Sequence, residues 1–184
     1  MANVYNYLKP AWHTARIEQL RQGRDIVPTH VHLVISDLCN QDCHFCSYRI
    51  SNGFAVENFA DEHGNKNPVR FIPTEKAVEI LDDCAALGVK AIEFTGGGEP
   101  TVHKDHLRII EHAQALGLQT GLVTNGVLLK DHEVFHNLDW LRISLDAGSP
   151  ETYQTIRASK AWPKVLSNLT IKFRKPYTGA GFVI

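Results

Sequence analysis

The sequence predicts an α/β fold built on a parallel sheet, and two observations carry that expectation. The first is an internal repeat: Ala86-Leu-Gly-Val-Lys-Ala-Ile-Glu-Phe-Thr-Gly-Gly97 matches Ala115-Leu-Gly-Leu-Gln-Thr-Gly-Leu-Val-Thr-Asn-Gly126. Each copy is a helix end with its glycine, a short strand, then threonine and a glycine-bearing turn, and such units recurring at about 30 residues mark parallel α/β structure. The second is position. Residues 39–46, 96–100, 125–126 and 144–146 each come directly after an apolar run of strand length, and parallel barrels build their sites at the C-terminal ends of strands.

A chain of 184 residues suits one well-buried domain and is too short for two ordinary ones. Residues 1–28 read as an N-terminal extension and 29–184 as the core. A net charge of -1 gives no sign of a nucleic-acid or acidic-membrane surface. The beginning has no signal-peptide pattern, and no apolar run reaches the ~20 residues of a membrane span. Four cysteines, three of them crowded together, do not make a secreted disulfide framework. The expected setting is reducing and cytoplasmic.

The elements follow in order. Residues 11–22 form an amphipathic helix with Trp12, Ala15, Ile17 and Leu20 on one stripe, suited to covering the end of a barrel. Residues 29–36 form the first strand; His30 and His32 lie on it and read as packed or solvated rather than as ligands. Residues 47–72 are polar and irregular, a long excursion over the site, with Tyr48 and Arg49 near enough to face a substrate. Residues 74–87 are a helix capped by Thr74 and ended by Gly88, with Ala77, Val78, Ile80, Leu81, Cys84 and Leu87 inward. Cys84 is therefore a core residue. Strand two covers 91–95.

The next helix, 104–116, turns Leu107, Ile110, Ala113 and Leu116 inward and leaves His103, His106 and His112 polar and without special function. A short helix at 131–138 leads to a fourth strand at 140–145. Ser149 caps the following helix, with Pro150 at its first position. Residues 162–174 are helical, so Lys172, Arg174 and Lys175 read as a solvated helix end. Residues 181–184 begin a fifth strand.

The chemistry centres on Cys39-x-x-x-Cys43-x-x-Cys46. Soft thiolates in one tight loop select zinc, copper(I) or iron–sulfur clusters. A structural zinc site closes with four protein ligands, and ferredoxin runs supply four cysteines. Three suggest a [4Fe–4S] cluster with one open iron, and a zinc loop stays as the alternative.

With aromatic Phe45 before its last cysteine, this loop resembles the signature of the radical S-adenosylmethionine (radical SAM) superfamily, and Gly96-Gly-Gly-Glu-Pro100 resembles that family's Gly-Gly-Glu-Pro element. The resemblance runs from about Thr29 onward. It implies a partial (β/α) TIM-like barrel of the radical SAM type, incomplete here with four strands and the start of a fifth, and so a truncated core. It also implies cluster ligation by Cys39, Cys43 and Cys46, and receipt of the SAM amino group by Gly97, Gly98 and Glu99. Asn125, Ser144 and Asp146 are implied at the ribose hydroxyls and carboxylate, Arg157 at the SAM carboxylate, and Phe45 with Val183 beside the adenine.

The chemistry implied is reductive cleavage of SAM to a 5′-deoxyadenosyl radical that abstracts hydrogen from a small-molecule or peptide substrate. The electron would come from a flavodoxin or ferredoxin. Within the superfamily the two motifs look most like molybdenum-cofactor synthases and peptide-modifying maturases, although the cysteine-rich C-terminal extension common there is not in this sequence. The competing expectations are a non-catalytic iron–sulfur binding or electron-transfer module, and a small zinc-stabilised α/β domain.

Overall fold

The computed structural model describes residues 13–50 and 71–182, with the side chains of Arg49 and Ile50 outside that description. Five strands form one sheet: β1 (His30–Val34), β2 (Ala91–Thr95), β3 (Gln119–Thr124), β4 (Trp140–Ser144) and β5 (Tyr177–Gly181). They lie in chain order, β1-β2-β3-β4-β5, and every neighbouring pair is parallel. No pairing of β5 with β1 closes the sheet among the described residues, so the architecture is an open, partial barrel.

Helices connect the strands: α1 (Thr14–Arg21), α2 (Ser47–Ile50), α3 (Thr74–Leu87), α4 (His106–Ala115), α5 (Glu133–His136), α6 (Pro150–Arg157) and α7 (Trp162–Leu169). The period-2 alternation of the strands separates two faces. Leu33, Ile92, Phe94, Leu122, Leu141 and Ile143 point to the helix side, where Ala77, Leu81, Ile109, Ile110, Phe135, Tyr153 and Val165 complete one core. The opposite face carries His32, Val34, Glu93, Thr95, Trp140, Arg142 and Ser144, and stays open enough that Val34 is 41% exposed.

Several expectations need correction. No residue of α1 is buried, and Ile17 and Leu20 are exposed. Its tie to the sheet is polar, through Arg16 to the Val27 carbonyl and to Thr29 Oγ1; Trp12 lies outside the described residues. Thr74 does not cap α3 but is its first residue, after Pro73. Its hydroxyl instead donates to Asp105 Oδ2 at 2.5 Å, linking two helix starts. Leu87, at the helix end, is 64% exposed.

His103 is not on a polar face: it is buried, with Nε2 2.8 Å from the Ile72 carbonyl. The helix at 162–174 stops at Leu169. Beyond it the chain turns to α5, where Arg174 N donates to His136 Nδ1, Lys175 N to the His136 carbonyl, and Arg174 pairs with Glu133. The basic run is therefore a strut between elements. β5 begins at Tyr177, four residues ahead of its expected start, because Tyr177-Thr178-Gly179-Ala180-Gly181 lacks the apolar alternation that marks an interior strand. Most of the 47–72 excursion, and Val183, lie outside the described residues.

Candidate active site

All the unusual segments meet at the C-terminal ends of the strands. They line one cavity of about 540 Å³, and every described candidate residue is on its wall: Cys39, Cys43, Cys46, Phe45, Gly97, Gly98, Glu99, Asn125, Ser144, Asp146 and Arg157. Tyr48 lines it too.

The cysteine loop is held from three sides. On the first, Gly98 N donates to the Ser36 carbonyl and Glu99 N to the Leu38 carbonyl at 2.8 Å. The loops touch so closely that a Cβ on Gly98 would lie 2.2 Å from Leu38 O, so no other residue fits there. On the second, Asn125 Nδ2 donates to Asn40 Oδ1 at 2.6 Å and lies 3.9 Å from Cys39 Sγ. On the third stands α6: His44 N donates to the Ile156 carbonyl in its last turn, and Gln41 Nε2 to the hydroxyl of Tyr153 in its first half. Ser149 Oγ caps that helix by accepting from Thr152 N at 3.2 Å.

Arg157, at the end of α6 and 6% exposed, joins these parts. Its guanidinium pairs with Asp146, reaches Gln41 Oε1 at 3.3 Å and lies 3.5 Å from Cys43 Sγ. It also sits over the Phe45 ring at 5.5 Å. Asp146 takes a left-handed backbone (φ 56°) just past the end of β4, which is uncommon for a non-glycine residue. Burial pushes the Cys43 thiol pKa up, and the Arg157 charge opposes that rise.

Glu99 is buried as well, and four donors reach its carboxylate. Thr101 N, Thr101 Oγ1 and Thr124 Oγ1 donate to Oε1, and Asn125 N to Oε2 at 2.7 Å. Burial raises its pKa, against the pull of these bonds. Glu99 therefore ties the β2 turn to the end of β3, a task the motif alone does not reveal.

Sequence reasoning missed Gln41, Thr124 and Arg142, which also line the cavity. Arg142 lies two residues before Ser144 on the same strand face, so strand alternation was a usable signal. For Gln41 and Thr124 there was none.

The donor set suits a cluster better than a single ion. Three thiols reach the cavity, while Cys84 sits on α3 against the core and does not line it. Among the described residues, no set of three ligand atoms close enough for one metal ion includes a cysteine.

The family profile of the radical SAM superfamily matches residues 33–172. The chain belongs to the radical SAM superfamily. Members of this superfamily use a [4Fe–4S] cluster and SAM and generally need an external reductant.

The radical SAM chain is 31% identical over 146 residues to an S-adenosylmethionine-dependent nucleotide dehydratase of Flammeovirga pacifica, covering 78% of this chain and 47% of that protein. It is 32% identical over 103 residues to a PqqA peptide cyclase of Bradyrhizobium diazoefficiens, covering 56% of this chain and 23% of that one. It thus spans less than half the length of these curated relatives. Streptococcus suis SuiB bound to S-adenosylmethionine shares the fold, with a TM-score of 0.59 at 17% identity over 91% of this chain and 36% of SuiB. No described helix of this radical SAM chain is long and apolar enough to cross a membrane.

Proposed function

We propose that this chain carries the SAM-cleaving centre of a radical SAM enzyme, with Cys39, Cys43 and Cys46 holding the cluster. The observation that carries this reading is the cysteine loop, pinned at the strand ends so that all three thiols reach the cavity lined by the Gly-Gly-Glu-Pro turn. When bound, the cluster and SAM supply the one-electron chemistry that breaks an unactivated C–H bond.

The chain's own residues bind and orient. Gly97 and Gly98 present backbone to the SAM ammonium, and Glu99 acts on that contact by fixing the turn, since its oxygens already accept from four donors. Ser144 and Asn125 face the ribose, and Phe45 flanks the adenine side. Asp146 is engaged by Arg157, which places that pair beside the cluster loop. Arg142 makes no hydrogen bond or ion pair among the described residues and lines the same cavity, so it is the cation available to the SAM carboxylate. The curated relatives differ in what their names say they act on, a nucleotide and a peptide; the part this chain shares with them is the cofactor chemistry. An external flavodoxin or ferredoxin type donor supplies the electron.

The deciding experiment is anaerobic reconstitution with iron and sulfide, then SAM and dithionite, with 5′-deoxyadenosine assayed by mass spectrometry. Product from the parent and none from Cys43→Ala is expected. A stable cluster without product would replace this reading with a binding or electron-transfer module, and a colourless zinc-loaded protein would remove the cluster.

A further inference from the structure

Below the cavity, on the same open face of the sheet, two imidazoles and a carboxylate come together. His30 and His32 are alternate residues of β1 and so share that face. His32 pairs in register with Glu93 of β2. One ligand atom from each of the three lies within 4.8 Å of the other two. His32 Nε2 is 3.6 Å from Glu93 Oε1, and the two imidazole centroids are 4.8 Å apart.

The carboxylate is oriented by the fold. Trp140 Nε1 donates to Glu93 Oε2 at 2.9 Å, which leaves Oε1 directed at His32. The indole can reach across because Gly121 of β3 stands in register between Glu93 and Trp140. A Cβ on Gly121 would fall 1.9 Å from Trp140 Cε2. The same indole meets the His30 ring edge-on at 5.6 Å. One cross-sheet rank therefore supplies two ligands, an orienting N–H and the gap that admits it.

We propose that His30, His32 and Glu93 form a binding site for a divalent transition-metal ion of the zinc type, separate from the cysteine loop. Two imidazoles with a carboxylate are a ligand set for zinc, whereas magnesium and calcium take oxygen donors. An N–H from outside the ligand shell that fixes a carboxylate is the usual support of such a site. Metal–donor bonds of about 2.0–2.2 Å require the three atoms to close in by roughly an ångström, and the two histidines are exposed enough to move. Ligands from one open sheet face leave coordination positions for water or for an oxygen of a bound molecule. The ion would lie about 7 Å below the rank of Thr95, two residues along β2, on the face that leads up to the cavity.

The test is calorimetric titration of Zn²⁺ into the full chain carrying Cys39→Ser, Cys43→Ser and Cys46→Ser, so that no cluster forms and those thiolates do not compete. The parent chain with its thiols blocked by iodoacetamide serves as a second preparation. One ion per chain is expected, seen by X-ray absorption with nitrogen and oxygen neighbours only. His32→Ala and Glu93→Gln should each weaken binding at least tenfold, and Trp140→Phe, which keeps all three ligands, about tenfold through loss of the orienting N–H. No saturable binding, sulfur at about 2.3 Å, or unchanged affinity in both His32→Ala and Glu93→Gln overturns the site. The outcome does not depend on the SAM-cleaving reading, because neither preparation can carry the cluster.

Discussion

Glu99→Gln replaces a carboxylate oxygen with an amide N–H₂ that must face donors already pointing at it. A buried donor left without an acceptor costs about 1–3 kcal/mol, so the unfolding free energy should fall by that amount, seen as a lower urea midpoint with an unchanged m-value. Arg157 makes a different prediction. Its charge lies beside Cys43 Sγ, and with the proposed ligation by Cys43 a cation there favours the more negative, reduced cluster. Arg157→Gln should make the cluster harder to reduce, by on the order of tens of millivolts for one partly buried charge; redox titration followed by electron paramagnetic resonance reads the shift. Legibility at this scale divides by the kind of partner a residue has. The cysteines and the Gly-Gly-Glu-Pro turn declare themselves as local motifs, and Ser144 by its place at a strand end. The roles of Glu99, Gln41 and Thr124 depend on partners remote in sequence, and no local pattern encodes those meetings.

Among the elements, α4 shows how burial turns an ordinary histidine into a pH-dependent one. His106 Nδ1 contacts the His103 carbonyl at 2.7 Å, its ring stacks on Phe135, and its Nε2 is buried with no partner among the described residues. Burial lowers its pKa below the usual 6.5. The unfolded chain therefore takes up this proton first as pH falls, and folding stability declines from about pH 6.5 down through the lowered value. His106→Leu should flatten that part of the stability–pH curve in chemical denaturation between pH 7 and 5. Read from sequence, His106 belonged to a polar side, because helical periodicity assigns faces but does not show that α5 packs across the first turn of α4. The end of α7 was illegible for a related reason: nothing in residues 170–175 breaks a helix, and the contacts that Arg174 and Lys175 make with α5 beyond it join residues remote in sequence. Ser149 and Pro150, whose signals are local, opened α6 as expected.

For the molecule as a whole, the repeated helix–strand unit made the parallel sheet legible, and the strand ends made the location of the site legible. The fifth strand starts ahead of its expected position because Tyr177-Thr178-Gly179-Ala180-Gly181 carries no apolar alternation to mark it. The described pairing has a measurable consequence: Tyr177, Thr178 and Ala180 are exposed and, among the described residues, β5 pairs with β4 alone, whereas β2 and β3 are paired on both sides. Hydrogen exchange by mass spectrometry should find β5 amides exchanging first among the strands from β2 to β5, with β2 and β3 protected longest. The in-order arrangement of the strands reaches further, to synthesis. A ribosome extends a chain at about 5–20 residues per second, and here each strand from β3 onward emerges beside an edge already waiting for it. Among the described strands only β1 must be held until a partner distant in sequence arrives, because β1 and β2 are separated by the longest stretch between neighbouring strands. The nascent chain can therefore grow its sheet one strand at a time once β2 is out, and the interval before that is when β1 and the cysteine loop after it are least protected.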